Sequence, residues 1–199
     1  FQFFYKYFFF NRKKRPVELG PYPIETLRRD AQIAKEERSR SAEKLELKFE
    51  NDTAPLVRAT FNHLAAFKDL REPEPFSKKA PVPEDLALRT RDIKGAGYFL
   101  DSSQIGICEI PNNAWLLNST PSHDFAILVL IEHSDPIDED NLASSWVAGN
   151  EDLLATLRAA EIAVNLSGQI SSLGFTSRAH WAGATEVDLE MLAVLSGLA

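Results

Sequence analysis

The chain has 199 residues, of which 44% are hydrophobic and 26% charged, a composition typical of a soluble globular protein of one domain or slightly more. Its net charge of -7 at pH 7 argues against a nucleic-acid-binding protein, because such a surface needs Lys and Arg to neutralise phosphates. Cys108 is the single cysteine, so these residues cannot by themselves form a disulfide, a cysteine-ligated zinc site or an iron–sulfur cluster. We expect a reducing compartment, the cytoplasm.

The first ten residues, FQFFYKYFFF, include eight aromatic side chains and precede a basic run at 11–15. This segment is too short to span a membrane as a helix, which needs about 20 apolar residues. A secretory signal would place the basic residues first. We interpret the segment as an anchor that packs on a protein core. The alternative is an interfacial membrane anchor, which aromatic residues followed by Lys and Arg also suit.

An N-terminal arm, residues 1–80, is predicted from two helical stretches and a proline-rich segment. Residues 24–49 are rich in Glu, Arg, Lys and Ala, which is typical of a helix that buries one narrow face. A second helix is predicted over 56–70, where Pro55 suits the first turn. Four prolines within residues 71–85 then indicate an extended loop or linker.

The main body, residues 81–199, alternates helical stretches with short apolar runs of strand length. Helices are predicted over residues 84–100, 151–173 and 186–198, with Gly174 and Gly197 at the ends of the last two. Strands are predicted over residues 103–110, 124–133 and 175–181. The run at 124–133 is continuously apolar, as in a central strand covered on both faces. This order predicts an α/β or α+β protein with helices on the faces of a layered sheet.

The four histidines, His63, His123, His133 and His180, are the first candidates for a metal site. His123 and His133 flank the predicted central strand, and at about 3.3 Å per residue they are too far apart to share one ion. The acidic residues at 135–140 lack the glycine and the spacing of an EF-hand loop, so we interpret them as a solvated loop. The sequence therefore predicts no metal site in these residues.

Residues 174–199, GFTSRAHWAGATEVDLEMLAVLSGLA, mix small residues with polar and aromatic ones. Small side chains let a backbone approach a flat cofactor closely. Packing turns explain the same pattern equally well.

Four segments, taken in order, resemble the corrinoid-dependent reductive dehalogenases and the related epoxyqueuosine reductases. DIKGAGYFLDSSQIGICEIPNNAW, at 92–115, is similar to a helix–strand unit of those proteins, and HDFAILVLIEH, at 123–133, is similar to the strand that comes next. AAEIAVNLSGQISSLGFTSRAHW, at 159–181, resembles a helix that ends in a Leu-Gly-Tyr-like step. LEMLAVLSGLA, at 189–199, resembles the segment before a glycine loop. The order of the four segments carries the resemblance.

The resemblance implies a cobalamin-binding domain with a nitroreductase-like layered sheet, of which residues 81–199 would be the first part. In the complete protein a ferredoxin-like domain with two 4Fe-4S clusters would follow, with its ligands outside this segment. The implied activity is that of an oxidoreductase, a reductive dehalogenase that removes halide from an organohalide, expected to be aromatic. The 199 residues alone are expected to be inactive and to contain no catalytic residue.

The same resemblance implies the partners and the residues nearest to the cofactor. The partners are the organohalide, an electron donor such as ferredoxin, flavodoxin or a reductase, and the remainder of the polypeptide, with no nucleic acid and no membrane span. His180, Trp181 and Gly197 are the residues expected to bind the cobalamin. The absence of a twin-arginine leader favours the soluble, catabolic type of the family.

Two other functions stay open at this point. An epoxyqueuosine reductase-like enzyme of tRNA modification is disfavoured, because Gly183 stands about where that branch has an acidic residue. A non-catalytic protein-interaction module, which would dock a partner through the aromatic N-terminus, requires no cofactor.

Overall fold

The structure is a computed structural model, and it describes most of the chain: residues 27–47, 54–132, 147 and 150–199. Several predictions concern residues outside this part and stay predictions: the segments at 1–10 and 11–15, His133 and the acidic residues at 135–140.

The described residues contain both helices and strands, which confirms a mixed α+β class. The described part of the chain contains five α-helices: α1 (Ala31–Glu37), α2 (Pro55–Ala66), α3 (Leu86–Phe99), α4 (Glu151–Ser172) and α5 (Leu189–Ser196). Two strands lie within these same residues, β1 (Gln104–Glu109) and β2 (Phe125–Leu130). Short 3₁₀ turns follow α2 at Phe67–Leu70 and β1 at Asn112–Ala114. The four helices predicted after residue 55 and the first two predicted strands are therefore confirmed, most of them with shorter ends.

The longest described helix, α4, has 22 residues and ends as its sequence predicts. Gly174 has a φ of 85°, which favours glycine because a Cβ is strained there. The N–H of Gly174 donates to Ser171 O at 2.9 Å, and the N–H of Phe175 donates to Ile170 O at 3.2 Å, so the last carbonyls of the helix are satisfied. No described helix is both long enough and apolar enough to cross a membrane.

The sheet of the described residues consists of β1 and β2 in antiparallel pairing, from Gln104 opposite Leu130 to Glu109 opposite Phe125. The described residues do not cover β2 on both faces, so the prediction of a fully covered central strand is wrong for this part of the chain. Its inner residues are only partly buried, and Phe125 is 64% exposed. The reason is that α4 and α5 cover β2 incompletely, and its apolar residues line a cleft instead.

The predicted helix over 24–49 is also wrong in most of its described length. α1 ends at Glu37, and residues 41–47 have no regular secondary structure. Tertiary contacts override the helical composition here. Arg40 and the backbone N–H of Glu43 both bind the buried carboxylate of Asp188 at the start of α5. A continuous helix would carry the following residues away from α5.

The predicted strand over 175–181 is absent, and these residues have no regular secondary structure apart from an isolated bridge at Trp181. Ala179 N–H donates to Arg71 O at 2.8 Å, and Trp181 forms a single antiparallel bridge with Ala184. The segment pairs with a loop and with its own turn, which leaves no ladder long enough to form a strand. It crosses the start of the proline-rich loop that follows α2, at Arg71.

Two groups of buried side chains hold the elements together. In the first, Val57 and Leu64 of α2 pack against Leu153 and Ala160 of α4, with Trp181 beside them. Burying each large apolar side chain of this kind stabilises the fold by about 1.5–3 kcal/mol. Helix α2, within the predicted arm, therefore shares a core with α4.

The second buried group joins the sheet to α5. Cys108 and Trp115 pack against Met191, Leu192 and Leu195. The Cys108 thiol donates to Leu192 O at 3.6 Å, and burial raises the pKa of Cys108 to about 11. Cys108 is therefore a buried thiol that packs between β1 and α5.

Candidate functional site

A cleft of about 830 Å³ lies between β2, α4, α5 and the segment that follows α4. Its size falls within the usual range of small-molecule and cofactor sites, about 300–1,000 Å³. Most of its lining is apolar. Leu128 and Leu130 of β2 face it from one wall, and Leu192 and Ala193 of α5 contribute another.

Small side chains of α4 form a further wall. Ala155, Ala159 and Ala163 all line the cleft, and their spacing of four residues places them on one face of the helix. Leu166 and Ile170 continue the same wall. Because alanine projects little beyond the helix backbone, this face leaves the cleft wide enough for a flat apolar group.

Polar residues gather around His180 at one edge of the cleft, and we call His180, Arg71, Arg178, Glu72 and Glu186 the His180 cluster. Of these, His180 and Arg178 line the cleft, whereas Arg71, Glu72 and Glu186 lie behind them around a separate small pocket. Nδ1 of His180 lies 3.3 Å from a guanidinium nitrogen of Arg71 and 3.4 Å from the backbone nitrogen of Glu186. Both partners can only donate, so Nδ1 accepts and the proton of the neutral ring is on Nε2. Burial and the positive charge of Arg71, partly offset by Glu186, lower the pKa of His180 to about 4.

The charges of the His180 cluster balance one another. Arg178 pairs with Glu186 and, at 2.7 Å, with Glu72. Arg71 pairs with Glu186 at 3.5 Å. The hydrogen bond from Arg178 lowers the pKa of Glu72 below its usual range. Two guanidinium groups therefore meet two carboxylates around a neutral imidazole, and the cluster has no excess charge to attract an anion.

Arg71 fixes the segment that carries His180. Its Nε donates to Ala179 O at 3.0 Å, and its own carbonyl accepts from Ala179 N–H at 2.8 Å. Its guanidinium lies 5.7 Å from the ring centroid of Trp181, a cation–π contact. These contacts on three consecutive residues hold the His180 backbone and ring in one position.

The three residues predicted to bind the cofactor lie in different surroundings. His180 and Trp181 both line the cleft, although Trp181 is only 4% exposed. Gly197 has a φ of 86°, and a Cβ there would lie 2.8 Å from Arg28 O. A glycine is therefore required at this position by the packing of the α5 end. Leu198, the next residue, lines the cleft.

His123 also lines the cleft, which the sequence did not indicate. Its Nδ1 lies 2.9 Å from Ser122 Oγ, while its Nε2 is buried and has no partner among the described residues. His63 does not line the cleft. Its ring packs against the ring of Phe67, with 5.3 Å between the two centroids. The described residues contain no group of three side chains that could hold a metal ion.

Sequence reasoning did not identify Arg71 or Glu186 as site residues. Arg71 is 109 positions from His180 and stands in what reads as a polar linker. Nothing in its immediate sequence shows that it contacts the histidine, because the contact depends on how the loop after α2 crosses the segment after α4.

Reductive dehalogenases are among the solved structures that this fold matches. One was interpreted as suggesting a mechanism for B12-dependent dehalogenation. It is 28% identical to this chain, with a TM-score of 0.75 over 94% of this chain and 26% of its own. The catabolic reductive dehalogenase NpRdhA is 28% identical, with a TM-score of 0.73 over 93% of this chain and 26% of its own. The same enzyme in complex with 3-bromo-4-hydroxybenzoic acid is 27% identical, with a TM-score of 0.72 over 92% of this chain and 25% of its own.

These matches confirm the resemblance to B12-dependent reductive dehalogenases and extend it over more than nine tenths of the chain. The chain spans about a quarter of the length of the structures it matches. No protein-family model matches it, and neither does any curated protein.

Proposed function

We propose that this chain is the N-terminal part of a reductive dehalogenase that removes halide from an organohalide with reduced cobalamin supplied with electrons by iron–sulfur clusters. The observation that carries the proposal is the match to B12-dependent dehalogenases at a TM-score of 0.75 and 28% identity over 94% of the chain. The NpRdhA complex with a brominated hydroxybenzoic acid supports a halogenated aromatic substrate. The proposed location is the cytoplasm.

Within the proposed protein, residues 81–199 form the first part of a nitroreductase-like, cobalamin-binding domain, and residues 1–80 form an arm that packs against it. The core shared by α2 and α4 supports close packing of the arm. The cluster ligands lie outside these residues, because Cys108 is the only thiol here and a 4Fe-4S cluster uses cysteine thiolates. The proposed electron donor is a ferredoxin, a flavodoxin or a reductase.

The cleft fits one side of a corrinoid. Its lining offers the apolar, small-residue surface of α4 for van der Waals contact with a flat macrocycle. It also contains the buried Nε2 of His123, which has no hydrogen-bond partner in the described part of the chain. His180 and Trp181 are the predicted cofactor-binding residues that lie in this lining. When bound, cobalamin would supply the reduced cobalt that reacts with the carbon–halogen bond.

The residues of this chain would act by binding and by excluding water. The α4 face and β2 provide an apolar wall, and a site with little water strengthens the electrostatic interactions inside it. The fixed ring of His180 would orient whatever polar group reaches it. No described residue is assigned a proton-transfer role.

The test uses the full-length protein to which this segment belongs, purified without oxygen and reconstituted with hydroxocobalamin, iron and sulfide. We expect a coloured protein with stoichiometric cobalt, and release of bromide from 3-bromo-4-hydroxybenzoic acid with a chemical reductant. Ala159→Phe, which fills the cleft, should reduce cobalt content. Leu154→Phe, on an exposed position of the same helix (Leu154 is 42% exposed), is the matched control.

A folded wild-type protein that binds no corrinoid after reconstitution would contradict the proposal. Equal cobalt content in the two variants, with both folded, would show that this cleft does not contact the cofactor.

A further inference from the structure

The orientation of the His180 ring has a chemical consequence for the ligand of the cleft. Arg71 and the backbone N–H of Glu186 both donate to Nδ1, so only the opposite atom, Nε2, is left to interact with a ligand. That atom carries the proton. His180 therefore offers a ligand one neutral hydrogen-bond donor.

The surroundings of His180 determine which acceptor suits this donor. The nearest cations, Arg71 and Arg178, are paired with Glu186 and Glu72. A phosphate or carboxylate would be buried beside a neutral donor and beside the carboxylate of Glu186, at a high desolvation cost. A neutral carbonyl, such as that of an amide, avoids this cost.

A second histidine supports an amide. His123 lines the same cleft, and its buried Nε2 has no partner among the described residues. His123 is also close enough to affect the pKa of His180, after the larger effects of burial and of Arg71. An amide presents both an acceptor and donors, so it can pair with His180 Nε2–H and with either tautomer of His123.

We propose that His180 binds the corrin ring of the cofactor by donating Nε2–H to a carbonyl of one of the amide side chains on the ring periphery, with His123 contacting the same polar edge. This inference rests on the proposed cobalamin-binding function. It assigns the contact to the neutral amides of the macrocycle and not to the anionic nucleotide tail.

Two substitutions separate the ligand contact from the structural role of the ring. In His180→Asn, the side-chain oxygen stands near the position of Nδ1 and can still accept from Arg71 and Glu186, but the Nε2 donor is lost. In His180→Gln, the side-chain nitrogen reaches the position of Nε2 and keeps the donor, while the acceptor is lost. We expect opposite effects of the two changes on ligand binding and on protein stability.

The measurement is the affinity of the full-length protein for two probes, cyanocobalamin and dicyanocobinamide, by absorbance titration. Both probes carry the ring amides, and dicyanocobinamide lacks the nucleotide tail. His180→Asn should weaken both by about tenfold, the usual effect of losing one hydrogen bond to a buried group. His180→Gln should bind both within about twofold of wild type but melt at a lower temperature.

Three other outcomes of these titrations would contradict either the inference or the proposed function. If His180→Asn binds both probes as tightly as wild type, the inference is wrong. If only cyanocobalamin binding weakens, His180 contacts the tail, and the assignment to the ring amides is wrong. If wild type binds neither probe, the proposed function itself fails.

Discussion

The carboxylate of Asp188 lies 2.5 Å from the guanidinium of Arg40, although the two residues are 148 positions apart. Asp188 also accepts hydrogen bonds from the backbone N–H groups of Met191 and Glu43, both at 2.8 Å. One buried side chain thus caps α5 and ties the segment after α1 to it. Burial alone would raise the pKa of Asp188, but the bonds from Arg40, Met191 and Glu43 lower it overall.

We expect Asp188→Ala to lower the free energy of unfolding by about 3 kcal/mol, because it removes a helix cap and one partner of a buried ion pair. Asp30→Ala is the matched control. Asp30 caps α1 through Gln32 and Ile33 but is exposed, so its loss should cost about 1 kcal/mol or less. Urea denaturation of both variants measures the difference. Equal losses would show that the Arg40 pair contributes nothing to stability.

The pKa of His180 predicts how stability responds to acid. The pKa is about 4 in the folded protein, against an ordinary histidine value of 6.5 that the unfolded chain should have. Between these values the unfolded chain binds a proton that the folded chain does not, so stability falls as pH drops from 6.5 towards 4. The lowered pKa of Asp188 affects stability only at lower pH. Its contribution to stability is lost as the pH falls below the ordinary aspartate pKa of 3.8.

Between neutral pH and about pH 5, His180 should account for a loss of about 1–2 kcal/mol of stability. His180→Gln removes the titrating group. Denaturant midpoints of wild type and variant at the two pH values give the comparison. The variant should lose less stability on acidification, and an identical loss would show that another group is responsible.

The sequence predicts elements well where local signals determine them. Helix α4 combines a regular apolar pattern with Gly174 at its end. The structure confirms both the helix and its end, because the helix packs against α2 through that same apolar face. The pattern of residues 103–110 likewise predicts β1. In these cases local preference and tertiary packing favour the same conformation.

Two of the incorrect predictions, the helix over 24–49 and the strand over 175–181, involve contacts between distant segments. Residues 41–47 have helical composition, but Asp188 binds Arg40 and the Glu43 backbone and the helix ends earlier. Within the site, His180 and Trp181 could be selected from sequence, whereas Arg71 could not. Its role depends on a loop crossing that no local pattern encodes.

Two glycines of α3 provide a test of packing with an internal control. A Cβ at Gly97 would overlap Ile105 Cδ1 of β1, whereas nothing lies within 4 Å of a Cβ at Gly95. Gly97→Ala should therefore destabilise the protein by about 1–3 kcal/mol through overpacking. Gly95→Ala should stabilise it by about 0.5–1 kcal/mol, because alanine is the better helix former. Thermal melts of the two variants must shift in opposite directions if α3 packs on β1 as described.

The buried thiol of Cys108 should be unreactive towards alkylating reagents in the native protein. The thiolate is the reactive form, and burial raises the pKa of Cys108 to about 11 while the group donates to Leu192 O. We expect iodoacetamide at about pH 8 to leave Cys108 unmodified in the native protein and to alkylate it in urea. Mass spectrometry of the peptide that contains Cys108 gives the extent of labelling, and Cys108→Ala gives the background. Rapid native labelling would mean that the contact between β1 and α5 opens readily, because alkylation needs access to a sulfur that these elements now cover.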